Sequence, residues 1–388
     1  MSASMPAGAG AASASKGRKK TACVTGGNGY IASALVKMLL DKGYAVKTTV
    51  RNPDDMDKNS HLIMELQSLG HLEVFRADLD EEGSFDDAVA GCDYAFLVAA
   101  PVNLTSENPE TEQIEPTVRA TLNVMRSCLK AGTVRRVVLT SAASTICIRP
   151  LEGDGHVLDE HSWSDLDYVT AERPPAWGYV ISKVLSEKEA FRFAQEHGIS
   201  LAIVCPVLTV GASPAREAYA SVRASLSMLS GDEAALAMLK GIEKSFGAVP
   251  VVHLHDLCRA EVFLAETATA APGRYICSSV STTVVEIARF LADKYTQYHV
   301  DIKQSSDDEL LEKPRVSLSS AKLVKEGFQF KYSTLDAIYG DVIQCARFSC
   351  STTGPRLFRA QQRHRSIQIH SLVNLHRFVV VEQEQIRG

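Results

Sequence analysis

The chain has 388 residues, of which 45% are hydrophobic and 22% charged, and its formal net charge is −5. This composition is that of an ordinary globular protein, and the acidic balance argues against binding of nucleic acid through a general basic field. No uninterrupted apolar run of about 18 residues or more is present, so we expect no membrane span.

The alternation of apolar and polar runs predicts the elements of the first half of the chain. Residues 1–20 form a Ser/Ala/Gly-rich arm without apolar periodicity, which we expect to be disordered. From residue 21 onward, strand-like and helix-like runs alternate, which predicts an α/β fold with a Rossmann-type, doubly wound parallel sheet. The predicted strands cover 21–25, 45–50, 72–77, 94–99, 134–141 and 201–210, and the predicted helices cover 29–41, 57–69, 84–90, 109–131 and 177–197.

The second half of the chain has a different pattern. Residues 21–210 predict the Rossmann-type domain, whereas residues 211–342 lose the strict alternation and predict a smaller region over the carboxyl edge of the sheet, where ligands and substrates bind in such folds. Helices are expected near 256–267 and 284–295. The arginine-rich segment 343–388 shows no sustained period, so we expect an atypical, poorly ordered tail.

A glycine-rich turn follows the first predicted strand. Gly27, Gly29 and Ala32 fit the GxGxxG/A fingerprint, and Gly26 with Gly29 also fits the related GxxGxxA spacing. In both patterns a glycine permits a tight turn, and the backbone N–H groups at the start of the next helix can hold a pyrophosphate. The turn therefore predicts a dinucleotide site.

The ends of the following strands indicate which dinucleotide is bound. Arg51 stands where NAD enzymes usually carry an acidic residue, and Lys58 lies just beyond it. Because an arginine can grip a 2′-phosphate through paired hydrogen bonds, we predict NADPH as the cofactor. Asp78 could bond the adenine amino group or cap a helix, and Val98 and Ala99 are small where the cofactor must pass.

A Tyr-xxx-Lys pair at the start of helix 177–197 predicts acid–base chemistry. Tyr179 and Lys183 have i, i+4 spacing and share one helix face. The lysine charge favours the tyrosinate, so the phenol could give and take a proton nearer neutral pH; the alternative is an ordinary solvated helix face. At the end of the fifth strand, Ser141 is a candidate to bond the substrate oxygen, and Ser144 is a poorer one.

With these residues in hand, the chain resembles the extended short-chain dehydrogenase/reductase family, which includes enzymes related to NAD-dependent epimerases and dehydratases. Within that family it is most similar to plant flavonoid reductases, above all to the anthocyanidin reductase group. The resemblance covers roughly residues 20–342. It rests on segments 24–33, 49–53, 75–79, 177–183, 256–260 and 273–277.

The resemblance implies roles for the residues of these segments. Tyr179 would donate the proton, and Lys183 would bind the nicotinamide ribose. Hydride from NADPH would reduce the C-ring of a flat aromatic flavonoid, turning an anthocyanidin into a flavan-3-ol in the cytoplasm, inside an apolar pocket built from residues 205–250. The implied cofactor contacts are Gly26, Gly29, Tyr30, Ile31, Arg51, Lys58, Asp78, Leu79, Val98, Ala99 and Pro206.

One departure from the family pattern keeps other functions open. The family strand usually ends in Thr-Ser-Ser, and Ala142 occupies the position of the second, active serine. The alternatives are therefore a weakened enzyme, a ketone reductase of the dihydroflavonol 4-reductase type, or a non-catalytic NADPH-binding homologue. His253 and His255 have no third ligand at sensible spacing, so we expect no metal site.

The cysteines indicate the compartment. The nine cysteines are scattered, most of them lie inside apolar runs, and none forms a CxxC pair. Small buried thiols of this kind are typical of a reducing compartment, which agrees with a cytoplasmic location.

Overall fold

The structure, a computed structural model, describes residues 19–352 except for 102, 104, 105, 107, 216–218, 299 and 301–309. The predicted arm lies outside the described residues apart from positions 19 and 20. The part of the predicted tail beyond residue 352 also lies outside them.

Strands and helices alternate as expected through the first half of the described chain. The strands are β1 (Thr21–Val24), β2 (Ala45–Val50), β3 (Leu72–Arg76), β4 (Tyr94–Leu97), β5 (Arg136–Thr140), β6 (His156–Leu158), β7 (Leu201–Pro206), β8 (Leu208–Val210), β9 (Val249–His253), β10 (Gly273–Cys277), β11 (Val280–Thr282) and β12 (Val316–Leu318). The helices are α1 (Tyr30–Asp41), α2 (Met56–Ser60), α3 (Asp86–Val89), α4 (Glu115–Ala131), α5 (Ser144–Cys147), α6 (Leu166–Glu172), α7 (Trp177–His197), α8 (Ala220–Ser230), α9 (Glu233–Phe246), α10 (Leu254–Glu266), α11 (Val284–Lys294), α12 (Ala321–Lys325) and α13 (Leu335–Thr352). Short π- and 3₁₀-helical turns cover His61–Glu65, Leu66–Leu69 and Glu110–Ile114.

The main sheet has seven parallel strands in the order β10-β7-β5-β4-β1-β2-β3. The strand order reverses between β1 and β4, which creates a crevice at the carboxyl ends of these strands. Strands β4, β5 and β7 are buried throughout, as strands covered by helices on both faces must be. The predicted fold class, a doubly wound Rossmann-type sheet, is confirmed.

The boundary of the sheet differs from the sequence prediction. The run predicted as one strand over 201–210 is two strands, because the chain leaves the main sheet after Pro206 and β8 pairs with β9 in a small three-stranded sheet. Pro206 has no N–H to donate to a further ladder bond. In return, β10 from the predicted substrate-binding region pairs with β7 and extends the main sheet. Such pairing between distant segments cannot be recognised from periodicity alone.

Helix α13 also differs from the prediction, because it continues to Thr352, past the predicted start of the tail at residue 343. Residues 341–352 contain no glycine or proline that would end a helix. Val342 and Ile343 are buried in a second apolar core that α13 shares with α8, α9 and α11. The expectation that the tail is poorly ordered from residue 343 is therefore wrong for this first part of it.

His253 connects α13 to the rest of the fold. Its Nδ1 accepts a hydrogen bond of 3.1 Å from the backbone N–H of His255, which caps α10. Its Nε2 lies 3.0 Å from the Asp341 carboxylate of α13, and its ring stacks on Tyr332 at 3.7 Å. The histidine pair thus serves helix capping and docking. Within the described residues, no group of three or more metal-ligating side chains is found.

Among the described residues, no helix is both long and apolar enough to cross a membrane.

Replacing Ile343 by alanine tests whether the end of α13 is packed as described. Because the side chain is 1% exposed, we expect a loss of about 2–5 kcal/mol in the free energy of unfolding. Replacing the adjacent, exposed Gln344 by alanine should change it by less than about 0.5 kcal/mol. Urea unfolding followed by circular dichroism measures both, and equal effects of the two substitutions would contradict this packing.

Candidate active site

The glycine turn lies in the crevice between β1 and β4. Gly26 has φ +72°, a left-handed conformation that favours glycine. A Cβ on Gly26 would lie 2.9 Å from the Cβ of Ala99, and one on Gly27 would collide with the side chain of Thr48. The turn can approach β2 and the end of β4 this closely only because both residues lack a side chain.

Helix α1 begins at the end of this turn with its N-terminus open. Gly29 precedes the first helical residue, no side chain caps the helix, and no acidic residue lies in its first turn. The N–H groups of Tyr30 and Ile31 therefore remain available to an anion, which the helix dipole also favours. The Tyr30 side chain itself is buried, and its hydroxyl donates to the Gly211 carbonyl at 2.8 Å.

The end of β4 is held against the glycine turn by one hydroxyl. The Thr25 Oγ1 accepts hydrogen bonds of 3.0 Å from the backbone N–H groups of both Val98 and Ala99. These two small residues thus line the crevice where a dinucleotide would cross the sheet. The geometry fits the cofactor group that the turn predicts.

The predicted 2′-phosphate ligands lie at the next strand end. Arg51 follows β2 and is exposed, and within the described part of the chain it forms no ion pair. Lys58 is also exposed, and its Nζ lies 3.9 Å from the Asp55 carboxylate. Both cations are therefore accessible to a phosphate, although Asp55 already offers Lys58 a partner.

Asp78 and Leu79 follow β3 and are partly exposed. The Asp78 carboxylate accepts a hydrogen bond of 3.0 Å from the backbone N–H of Asp80, so it closes a turn and does not cap a helix; α3 begins only at Asp86. The Leu79 carbonyl accepts a hydrogen bond of 3.0 Å from the amide of Asn123. This loop is thereby fixed beside the crevice.

Asn59 organises the cofactor side of the site, and the sequence analysis missed it. It is fully buried, its Nδ2 donates to the carbonyls of Asn52 at 2.7 Å and Pro53 at 3.2 Å, and its Oδ1 accepts from Asn28 at 3.0 Å. One amide therefore joins the loop after Arg51 to the glycine turn. The only sign of this role in the sequence is that Asn59 is a polar residue next to a buried helical run.

The catalytic pair lies on α7, which has the bounds that the sequence predicted. Tyr179 is partly exposed, and its hydroxyl forms no hydrogen bond with any part of the chain that the structure describes. Lys183 is only 6% exposed, with Nζ 5.8 Å from the centre of the Tyr179 ring and 3.5 Å from the Thr140 carbonyl. The helix thus presents a free phenol and a buried ammonium at the end of β5.

Burial sets the protonation of this pair. It lowers the pKa of Lys183 to about 8, although the Glu187 carboxylate opposes the change. It raises the pKa of Tyr179 to about 12, and the same carboxylate adds to that effect. The phenol is therefore neutral near pH 7, in contrast to the tyrosinate that the sequence analysis favoured. A neutral phenol is the form that a proton donor requires.

The hydroxyl groups at the end of β5 do not point into the crevice, and two of them bond to buried carboxylates. Ser141 donates to Glu187, and Thr140 donates to Glu261 at 2.6 Å. The Ser144 hydroxyl is enclosed and has no partner among the described residues. Of residues 140–148, only Ala142 is not buried, so the position that is open at this strand end carries a methyl group. Neither predicted serine presents a hydroxyl to the crevice.

The last predicted contact, Pro206, lies at the carboxyl end of β7. Its carbonyl accepts a hydrogen bond of 2.8 Å from the backbone N–H of Ala143. The end of β7 therefore lies against the turn that follows β5, on the catalytic side of the crevice.

Comparison with known proteins agrees with this arrangement. The family model described as "NAD dependent epimerase/dehydratase family" matches residues 22–277, which include the glycine turn, the Tyr–Lys pair and β10. The chain belongs to the NAD dependent epimerase/dehydratase family. The sequence resemblance to extended short-chain dehydrogenases/reductases, of which this family is part, is confirmed.

Three known proteins are similar to this chain over most of its length. An anthocyanidin reductase ((2S)-flavan-3-ol-forming) from Vitis vinifera is 46% identical over 326 residues, or 84% of this chain and 95% of the relative. A dihydroflavonol 4-reductase from Arabidopsis thaliana is 41% identical over 330 residues, or 85% and 83%. The crystal structure of vestitone reductase from alfalfa (Medicago sativa L.) has a TM-score of 0.70 at 29% identity, covering 85% of this chain and 99% of that one.

Replacing Asn59 by alanine tests its role in the cofactor crevice. The substitution frees the loop after Arg51, so we expect the dissociation constant for NADPH to rise roughly tenfold, the equivalent of about 1.4 kcal/mol, and that for NADH to rise less. Gln67→Ala, which removes an exposed amide from the same region of the chain, serves as the control. Fluorescence titration measures both, and an unchanged preference for NADPH over NADH would contradict this role.

Proposed function

We propose that the chain is an NADPH-dependent reductase of a flavonoid, which converts an anthocyanidin into a flavan-3-ol. The observation that carries the proposal is the free Tyr179 hydroxyl beside the buried Lys183, on a helix facing the crevice that the glycine turn opens. The identity to anthocyanidin reductases over most of the chain supports the substrate class.

The chain's own residues provide each part of a cofactor site. The N-terminus of α1 receives the pyrophosphate, and Arg51 with Lys58 receives the 2′-phosphate. Asp78 and Leu79 flank the adenine, and Val98, Ala99 and Pro206 border the ribose and nicotinamide. When bound, NADPH supplies the hydride.

Tyr179 supplies the proton that the reaction also needs. Conversion of a flavylium cation into a flavan-3-ol takes up two hydride ions and one proton. The phenol of Tyr179 is neutral and can donate that proton, while the Lys183 ammonium stabilises the phenolate that remains. Lys183 would also hold the nicotinamide ribose of the bound cofactor.

The region after β7 closes the other side of the crevice. Tyr219 packs on Tyr30 with ring centres 4.7 Å apart, and the Ser213 hydroxyl lies 2.8 Å from that of Ser33. These contacts join the substrate-binding region to the start of α1. We propose that the described residues of the 205–250 region line an apolar pocket, which would suit a flat aromatic substrate.

We infer a cytoplasmic location from the cysteines. The seven cysteines with described side chains are all free and buried, and free thiols are typical of a reducing compartment.

Two other functions remain in competition. Reduction of a dihydroflavonol ketone is favoured by the identity to dihydroflavonol 4-reductase. A non-catalytic NADPH-binding role is favoured by Ala142, because the open position at the end of β5 lacks a hydroxyl. A ketone needs that donor more than a cation does, since its oxygen gains negative charge as hydride arrives.

Oxidation of NADPH by the purified protein tests the proposal. We expect turnover with cyanidin that exceeds turnover with dihydroquercetin, much slower turnover with NADH, and loss of turnover in Tyr179→Phe. Greater turnover of dihydroquercetin would support the ketone reductase. Binding of NADPH without oxidation on either substrate would support the non-catalytic role.

Replacing Ala142 by serine tests the missing hydroxyl. A serine at this open position would add a second donor beside Tyr179, so we expect kcat with dihydroquercetin to rise by about 10- to 1000-fold and kcat with cyanidin to rise less. Ala143→Ser, at the neighbouring buried position, is the matched control. No gain on either substrate would show that the hydroxyl does not limit the reaction, and an equal gain on both would contradict the expected difference between ketone and cation.

A further inference from the structure

A buried ion pair lies directly behind the catalytic lysine. The Glu187 carboxylate of α7 is 0% exposed, the Arg274 guanidinium of β10 is 4% exposed, and Oε2 lies 2.8 Å from Nε. Two charges are kept out of water only when they are paired; here the pairing is an ion contact between two atoms that are not aligned as a hydrogen bond. Neither residue was singled out for chemistry by the sequence analysis.

Arg274 is fixed by contacts on every side. It donates to the Ser162 carbonyl at 2.6 Å, to the Glu160 carbonyl at 3.1 Å and to the Thr145 hydroxyl at 2.8 Å. Its guanidinium carbon lies 3.8 Å from the centre of the Trp163 ring. A guanidinium with this many partners cannot move away, so it holds Glu187 in one place.

Glu187 extends the catalytic face of α7 by one helical turn. Tyr179, Lys183 and Glu187 follow one another at i, i+4 and i+8, and residues at this spacing share a face. The Lys183 ammonium is buried, and its bond to the Thr140 carbonyl is long, at 3.5 Å. Glu187 is the acidic group that acts on it most strongly.

The other groups around this pair are neutral or are engaged with it. Cys205 of β7 faces Lys183 and Glu187, and burial raises the pKa of its thiol well above the ordinary value. Ser141, at the end of β5, donates its hydroxyl proton to Glu187, whereas the Thr145 hydroxyl of α5 accepts from Arg274 and donates to the Ala142 carbonyl. Arg274 of β10 supplies the only cation besides Lys183 among the described groups that act on it.

We propose that Glu187 is a positioning residue for the reduction: its carboxylate, paired with Arg274 and buried one helical turn from Lys183 on the same face of α7, keeps that lysine charged to hold the nicotinamide ribose. This inference rests on the proposed function. Without the carboxylate, the lysine would be a buried cation with Arg274 as an unpaired neighbour, and it would lose its proton at lower pH. The pair thereby sets the highest pH at which the site can bind NADPH and carry out the reduction.

The dissociation constant for NADPH, measured by fluorescence titration from about pH 6 to 10, tests the inference without any flavonoid. In the unaltered protein we expect binding to weaken as the pH rises through about 8, where Lys183 loses its proton. Glu187→Gln should move this point down by roughly one unit or more. Glu187→Asp, which keeps the charge, should restore most of the shift, and Lys183→Met should abolish the pH dependence.

A control on the same helix separates this effect from a general one. Glu189 is partly exposed and pairs with Arg192 at 2.7 Å, so Glu189→Gln should leave the profile unchanged. If Glu187→Gln alone does not fold, the double variant E187Q/R274M leaves no unpaired buried charge in that pair and should show a smaller downward shift, because Lys183 loses the carboxylate but is no longer repelled by Arg274.

A weaker affinity with an unshifted pH profile in Glu187→Gln would overturn the inference and leave the pair a structural role only. Failure of the unaltered protein to bind NADPH would instead contradict the proposed cofactor. Binding of NADPH with the predicted profile but no flavonoid turnover would contradict the proposed substrate and leave the inference on Glu187 standing.

Discussion

The structure depends on the close approach of three strand ends at the point where the strand order of the sheet reverses. Thr25, at the end of β1, bonds the N–H groups of Val98 and Ala99, and Gly26 can lie against Ala99 only because it has no side chain. This contact opens the crevice, aims the N-terminus of α1 into it and places the ends of β2 and β5 on either side. The predicted cofactor crevice and Tyr179, the proposed proton donor, lie side by side because these backbones are in contact.

Buried charges determine what the catalytic side of the crevice can offer. Glu187 and Glu261 take the hydroxyl groups of Ser141 and Thr140, because a buried carboxylate must be hydrogen-bonded. Burial raises the pKa of Glu261 to about 7, so the Thr140 bond satisfies a carboxyl group that is not fully charged. Because these two hydroxyl groups bond to buried carboxylates, they do not donate to a substrate. Tyr179 is left as the donor at this edge.

The second apolar core also supports the position of the residues that form the crevice. His253 is held between α10 and Asp341 of α13, and it lies against Gly211, whose carbonyl accepts from Tyr30 at the start of α1. The helix at the end of the described chain is thus connected by direct contacts to α1, the helix proposed to receive the pyrophosphate. Packing far from the chemistry therefore supports the position of the cofactor turn.

The sequence by itself determined the elements whose cause is local. The glycine turn, the bounds of α7 and the register of Tyr179 with Lys183 follow from backbone conformation and helical periodicity, which neighbouring residues control. The tertiary structure alone decided that β10 joins the main sheet, that α13 continues past residue 343, that Asn59 bridges two loops and that Ser141 turns to Glu187. These features depend on contacts between residues far apart in the chain. The periodicity of the sequence does not indicate which distant group a side chain will contact.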